Sequence, residues 1–83
     1  METFNIFLKK ITDVSDFVNL ASKCKGDVLV KSGKYTVSGK SIMGVFSLDL
    51  SKPLMVEIHD EIPEEVRKAL NDNFCVHFYE GKF

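Results

Sequence analysis

The sequence predicts an α+β domain in which helices pack on one face of a four-stranded, mainly antiparallel sheet. Three observations lead there. Short β-prone segments alternate with amphipathic ones in the order βαββαβα. The second and third strands flank the tight turn Lys31-Ser32-Gly33-Lys34, which makes them a hairpin. The 83 residues, 45% of them apolar and seven of them phenylalanine, suffice for one modest core, so residues 1–83 read as a single domain.

Thr3-Phe4-Asn5-Ile6-Phe7-Leu8 is a β-prone first strand, ended by Lys9-Lys10. Thr12 or Asp13 then caps a helix expected to run to about Cys24. Its residues Val14, Phe17, Val18 and Ala21 recur at helical spacing and form one apolar face, widened by Leu20 and Cys24. Lys23 and Lys25 suit the negative end of the helix dipole, and Gly26 is placed to stop the helix. Val28-Leu29-Val30 forms the second strand and Tyr35-Thr36-Val37-Ser38 the third.

Ser41 precedes the apolar run Ile42 to Leu48 and is expected to cap a short helix ending near Leu48 or Leu50. Ser51-Lys52-Pro53 turns the chain into a fourth strand, Leu54 to His59. Pro63 suits a first helical position, the acids Glu64 and Glu65 favour that helix start, and Val66, Ala69 and Leu70 give the last helix its stripe. Beyond Asn73 the alternation of Phe74, Val76 and Phe78 has a period of two and predicts an added short strand. Such an edge would also suit a weak homodimer, although a monomer satisfies every other feature.

Composition excludes several classes. A net charge of −1 without a basic cluster argues against direct nucleic-acid binding. No apolar run approaches a membrane span, and Glu2 and Asn5 interrupt any signal-like start. Cys24 and Cys75 are too few for a disulfide scaffold. A cytoplasmic protein without membrane contact is the expectation.

The run Lys40-Ser41-Ile42-Met43-Gly44-Val45-Phe46-Ser47-Leu48, with Gly33-Lys34 and Val37 before it, closely resembles the HPr family. These are the small phosphocarrier proteins of the bacterial sugar phosphotransferase system. The similarity reaches back through Ala21-Ser22-Lys23 and Asp27-Val28. It continues more weakly through Met55-Val56-Glu57-Ile58 and from Pro63 to Leu70. The resemblance implies an HPr-like open-faced β-sandwich, in agreement with the element order, and makes Ser41 the family's regulatory phosphorylation position. Members carry His-Ala-Arg-Pro ahead of the first helix, where the histidine relays the phosphoryl group. Counting back from Ser41 without gaps puts Lys10, Ile11, Thr12 and Asp13 there, and no histidine precedes His59. A lysine ammonium such as that of Lys10 is a poor nucleophile, Thr12 carries no charge, and Asp13 would repel an incoming phosphate.

A member that keeps the serine and lacks the relay histidine resembles the catabolite-repression HPr-like regulators of Gram-positive bacteria. In these, HPr kinase/phosphorylase acts on the serine and creates a corepressor for a LacI-type transcription regulator. The resemblance thus implies protein partners, the kinase and a LacI-type regulator or phosphotransferase-system proteins, with no enzyme activity and no cofactor. A phosphate on Ser41 would meet free backbone donors and Lys40, with Ile42, Met43 and Phe46 as an apolar docking patch. On local pattern alone, Ser41 reads first as an ordinary helix cap over a buried apolar face, and the resemblance brings the regulatory reading level with it. Two rivals stand beside the regulator: a phosphocarrier using a displaced residue, and an interaction module without phosphorylation.

The remaining chemistry-bearing residues have plainer readings. His59 lies beside Asp60-Glu61, which could orient its ring, yet neither it nor His77 sits at a helix start. Cys75 and His77 share one side of the predicted added strand, but no zinc-type spacing completes a metal site. Asp13 and Asp60 lack the companion acids of an acyl-phosphate site, and Lys9-Lys10 reads as a solvated strand end.

Overall fold

Among the described residues, seven elements follow in the expected order: β1 (Glu2–Ile6), α1 (Ile11–Ala21), β2 (Val28–Ser32), β3 (Tyr35–Ser38), α2 (Ile42–Phe46), β4 (Leu54–Ile58) and α3 (Glu64–Asn73). The computed structural model describes residues 2–75. The four strands form one antiparallel sheet in the order β1-β4-β2-β3.

The register turns the period-two pattern into a core. Phe4, Val56, Val30 and Val37 form one row across all four strands. Ile6–Leu54 and Ile58–Val28 pair in the flanking rows. Against this face pack Val14, Phe17 and Ala21 of α1, Val45 of α2, and Val66 and Leu70 of α3. The alternate residues Thr3, Asn5 and Met55 are exposed on the other face, which none of the described helices covers. Phe17 meets Phe74 edge to face, ring centroids 6.3 Å apart at 89°, the arrangement that aromatic quadrupoles favour.

Several boundaries differ from expectation. Helix α1 is capped by Lys10, not by Thr12 or Asp13. Asp13 serves instead from inside the first turn, its Oδ2 accepting the amides of Lys9 at 3.0 Å and Lys10 at 3.1 Å, the reach-back half of a capping box. The helix stops at Ala21 rather than Cys24, because its end tightens into three-residue turns: the Lys23 amide donates to the Leu20 carbonyl and that of Cys24 to Ala21. Gly26 is therefore not the helix stop. Its missing side chain makes room for Asp60, since a Cβ there would lie 2.4 Å from the Asp60 Cβ. Strand β1 ends at Ile6 rather than Leu8, β2 runs on to Ser32, β4 ends one residue before His59, and α2 ends at Phe46. Pro63 caps α3 from outside, and the helix runs on to Asn73. Gly33, at φ +58°, takes the left-handed position of the hairpin turn.

Of the added C-terminal strand, Cys75 makes one antiparallel bridge to Ile6, and the Phe7 amide donates to the Phe74 carbonyl at 3.0 Å. Val76, His77 and Phe78 lie outside the described residues.

Gly39 joins β3 to α2 with its amide donating 2.7 Å to the Val28 carbonyl. A Cβ there would lie 2.6 Å from Val28 Cγ1. Gly39→Ala should therefore cost about 1–3 kcal/mol, read as a lower urea midpoint; an unchanged midpoint would mean that the turn can back away from β2.

Two carboxylates make the fold acid-sensitive. Lys31, with its ammonium 2.7 Å away, and His59 hold the Glu57 carboxyl below the ordinary 4.5. The Arg67 guanidinium does the same for Glu2. A depressed folded-state value contributes stability above the unfolded value, which is lost as pH falls through the folded one. Unfolding midpoints should hold near neutrality and drop below about pH 4.5, and Glu57→Gln should flatten that drop. Glu2 is open to solvent and Glu57 half-buried at the sheet surface, so the effect is modest.

Candidate functional site

Helix α2 is short and held by few residues. Val45 is fully buried, whereas Ile42 is 40%, Met43 76% and Phe46 38% exposed. Ser41 caps the helix from an extended backbone, φ −109° and ψ 111°, and its Oγ accepts the Gly44 amide at 3.2 Å. The hydroxyl faces solvent. Gly44 lets the helix lie close to β3, since an added Cβ would sit 3.3 Å from both Ser41 Oγ and Val37 Cβ. The cap leaves the Ile42 and Met43 amides without an intrahelical acceptor.

Lys40, expected to meet a phosphate on Ser41, has a backbone partner of its own. Its Nζ donates to the Cys24 carbonyl at 2.7 Å, sixteen residues back in the chain. The ammonium is thus engaged at the end of α1 and is not held free for a phosphate on Ser41.

The four residues at the start of α1 sit together. Lys10, Ile11 and Thr12 are exposed, Ile11 by 75%. Asp13 is half-buried, with its carboxylate already taken by the two backbone amides. Lys10 and Ile11 line one shallow depression with Phe46 and Leu50. The tertiary structure therefore joins the start of α1 to the end of α2 in one partly apolar face, with Ser41 at the opposite end of α2. Ile11 as an exposed apolar member of that face is absent from the sequence reading. Helical spacing groups it with Val14 and Val18, and no local signal tells that its side chain stays exposed.

The other candidates are not brought to this face. His59 Nε2 lies 3.2 Å from Glu57 Oε1, so Glu57 rather than Asp60 or Glu61 orients the ring. Asp60 instead accepts the Glu61 amide at 2.7 Å. Burial pushes the Cys24 and Cys75 thiols up, the opposite of an activated thiolate. Among the described residues no three His, Cys, Asp or Glu side chains are grouped to hold a metal ion, and no helix is long and apolar enough to cross a membrane.

A family model described as "PTS HPr component phosphorylation site" matches residues 13–72. The chain belongs to the HPr family. It is 34% identical over 68 residues to the phosphocarrier protein HPr of Neisseria meningitidis serogroup A, covering 80% of this chain and 76% of that protein. The serogroup B protein of the same name matches equally. Among solved structures, the crystal structure of HPr-C-His from Thermoanaerobacter tengcongensis is similar with a TM-score of 0.71 at 30% identity, covering 87% of this chain and 89% of that one. The HPr match begins at Asp13, so Lys10, Ile11 and Thr12 precede it. HPr phosphocarriers are not enzymes themselves and interact with other proteins of the phosphotransferase system.

Proposed function

We propose that this HPr-family protein is a non-catalytic regulator, switched by phosphorylation of Ser41 and acting in the bacterial cytoplasm through contacts of helix α2. What carries this reading is the contrast between the two helix starts. At α1 the gap-free count from Ser41 gives Lys10 for the relay histidine, and the Asp13 carboxylate already takes the local amides. An incoming phosphoryl group would find no nucleophilic imidazole and a resident anion. At α2 the Ser41 hydroxyl is exposed, with spare amide donors beside it and exposed Ile42, Met43 and Phe46 on the same helix. Transfer of the γ-phosphoryl group of ATP to Ser41 Oγ releases ADP and a proton and adds nearly two negative charges. Partner arginines would read the phosphate while a pocket receives the apolar side chains. By family resemblance the modifying enzyme is HPr kinase/phosphorylase, the reader a LacI-type transcription regulator, and the process carbon catabolite control.

The family's printed role as phosphocarriers favours a second reading, a carrier using a displaced residue, with His59 as the candidate nucleophile. Its ring is engaged with Glu57 at a strand end rather than at a helix N-terminus.

Intact-mass spectrometry separates these. One incubation uses ATP with HPr kinase/phosphorylase, the other phosphoenolpyruvate with enzyme I, and Ser41→Ala is run in both. The expected result is one stable phosphoryl addition from ATP, absent in Ser41→Ala. An acid-labile addition from phosphoenolpyruvate that disappears in His59→Ala would replace this reading with the carrier. No addition in either incubation, together with tight partner binding by Ser41→Ala, would leave an interaction module.

A further inference from the structure

The Lys40 contact gives the chain a means of carrying a signal from Ser41 to the far end of α1. Residues 22–27 connect α1 to β2 with little regular structure. The Cys24 side chain anchors this connection in the core, only 2% exposed, and the Cys24 carbonyl is held from outside by the Lys40 ammonium at 2.7 Å. Asp60 packs against the same connection at Gly26. Lys40 and Ser41 are adjacent in the chain, and a lysine's flexible four-carbon stem can bring its ammonium to an oxygen on a neighbouring residue. A neutral carbonyl and a phosphate dianion compete unequally for that ammonium: both bonds are charge-assisted, and only the phosphate adds the attraction between opposite charges.

We infer that Lys40 is a phosphorylation-sensitive latch: it ties the α1–β2 connection through the Cys24 carbonyl, and a phosphate on Ser41 draws it off. The inference rests on the reading of Ser41 as a phosphorylation site and names the conformational consequence of that modification. With its carbonyl released, the connection opens more often and the Cys24 thiol becomes reachable. The change arises away from the α2 face, so a partner contacting the end of α1 would distinguish the two forms even without touching the phosphate.

The test reads Cys24 in a Cys75→Ser background, where Cys24 is the only thiol. Phosphoserine is installed at position 41 during translation, so the latch is examined whether or not any kinase accepts the protein. Labelling by a small thiol reagent under native conditions should rise about tenfold on phosphorylation, the change expected when a local opening loses one hydrogen bond to a charged group. Unphosphorylated Lys40→Met should label at the raised rate, and phosphorylation of that variant should add nothing further. Amide exchange of residues 22–27 should rise in the same two samples while α3 stays protected, which separates latch release from global unfolding. Unchanged labelling in the phosphoserine protein would overturn the latch while leaving the switch at Ser41 intact. An unchanged rate in Lys40→Met would do so equally. Failure of HPr kinase/phosphorylase to modify Ser41 tells against the functional reading instead.

Discussion

Replacing Phe17 with alanine is expected to lower the unfolding free energy by about 3–5 kcal/mol, much of the roughly 5–15 kcal/mol available to a small domain. Phe17 is 1% exposed and among the largest fully buried side chains. It lies where α1 meets the sheet, with the Phe74 ring edge-on to it just after α3. Truncation removes transfer free energy, leaves a cavity between helices and sheet, and takes away the aromatic pair, so the costs add. Urea unfolding followed by far-UV circular dichroism measures the loss, and the variant should be largely unfolded at 37 °C. A loss under about 1 kcal/mol would contradict the packing of α1 into one core with the α3 end.

Met43→Glu is expected to leave the fold untouched and to damage recognition. Met43 is 76% exposed on α2, so unfolding midpoints should stay within about 0.5 kcal/mol of the wild type. If the α2 face docks into an apolar pocket, a buried carboxylate there costs at least about 2 kcal/mol, or roughly thirtyfold in kcat/KM for Ser41 phosphorylation by HPr kinase/phosphorylase. Ser41 and its cap are unchanged in this variant, so a lower rate reports docking and not loss of the acceptor. A kinase rate equal to the wild type would remove Met43 from the interface and point to Phe46 and Ile11 as the apolar contacts.

The fold was legible to the degree that side-chain periodicity is local. Alternation of Phe4 with Ile6, and of Leu54, Val56 and Ile58, carries one sheet face directly in the sequence, and Val14, Phe17 and Ala21 carry the helix that covers it. The ends of elements were harder. The Asp13 carboxylate pulls the cap of α1 forward to Lys10, and short-range turns close that helix at Ala21, because end geometry depends on which orphan amides and carbonyls find partners. Gly26 misled for a related reason: its lack of a side chain answers to Asp60, 34 residues further on, and not to the helix before it.

The sequence by itself determined the element order, the hairpin at Gly33, the serine cap of α2 and the HPr resemblance, each of which depends on residues close together in the chain. Only the tertiary structure decided that Lys10 and Ile11 share a face with Phe46, that Lys40 holds the Cys24 carbonyl instead of standing over Ser41, and that Glu57 rather than Asp60 orients His59. The reason is physical. Periodicity records which residues leave water, whereas a polar side chain's partner is set by where distant backbone groups come to lie once the core has closed.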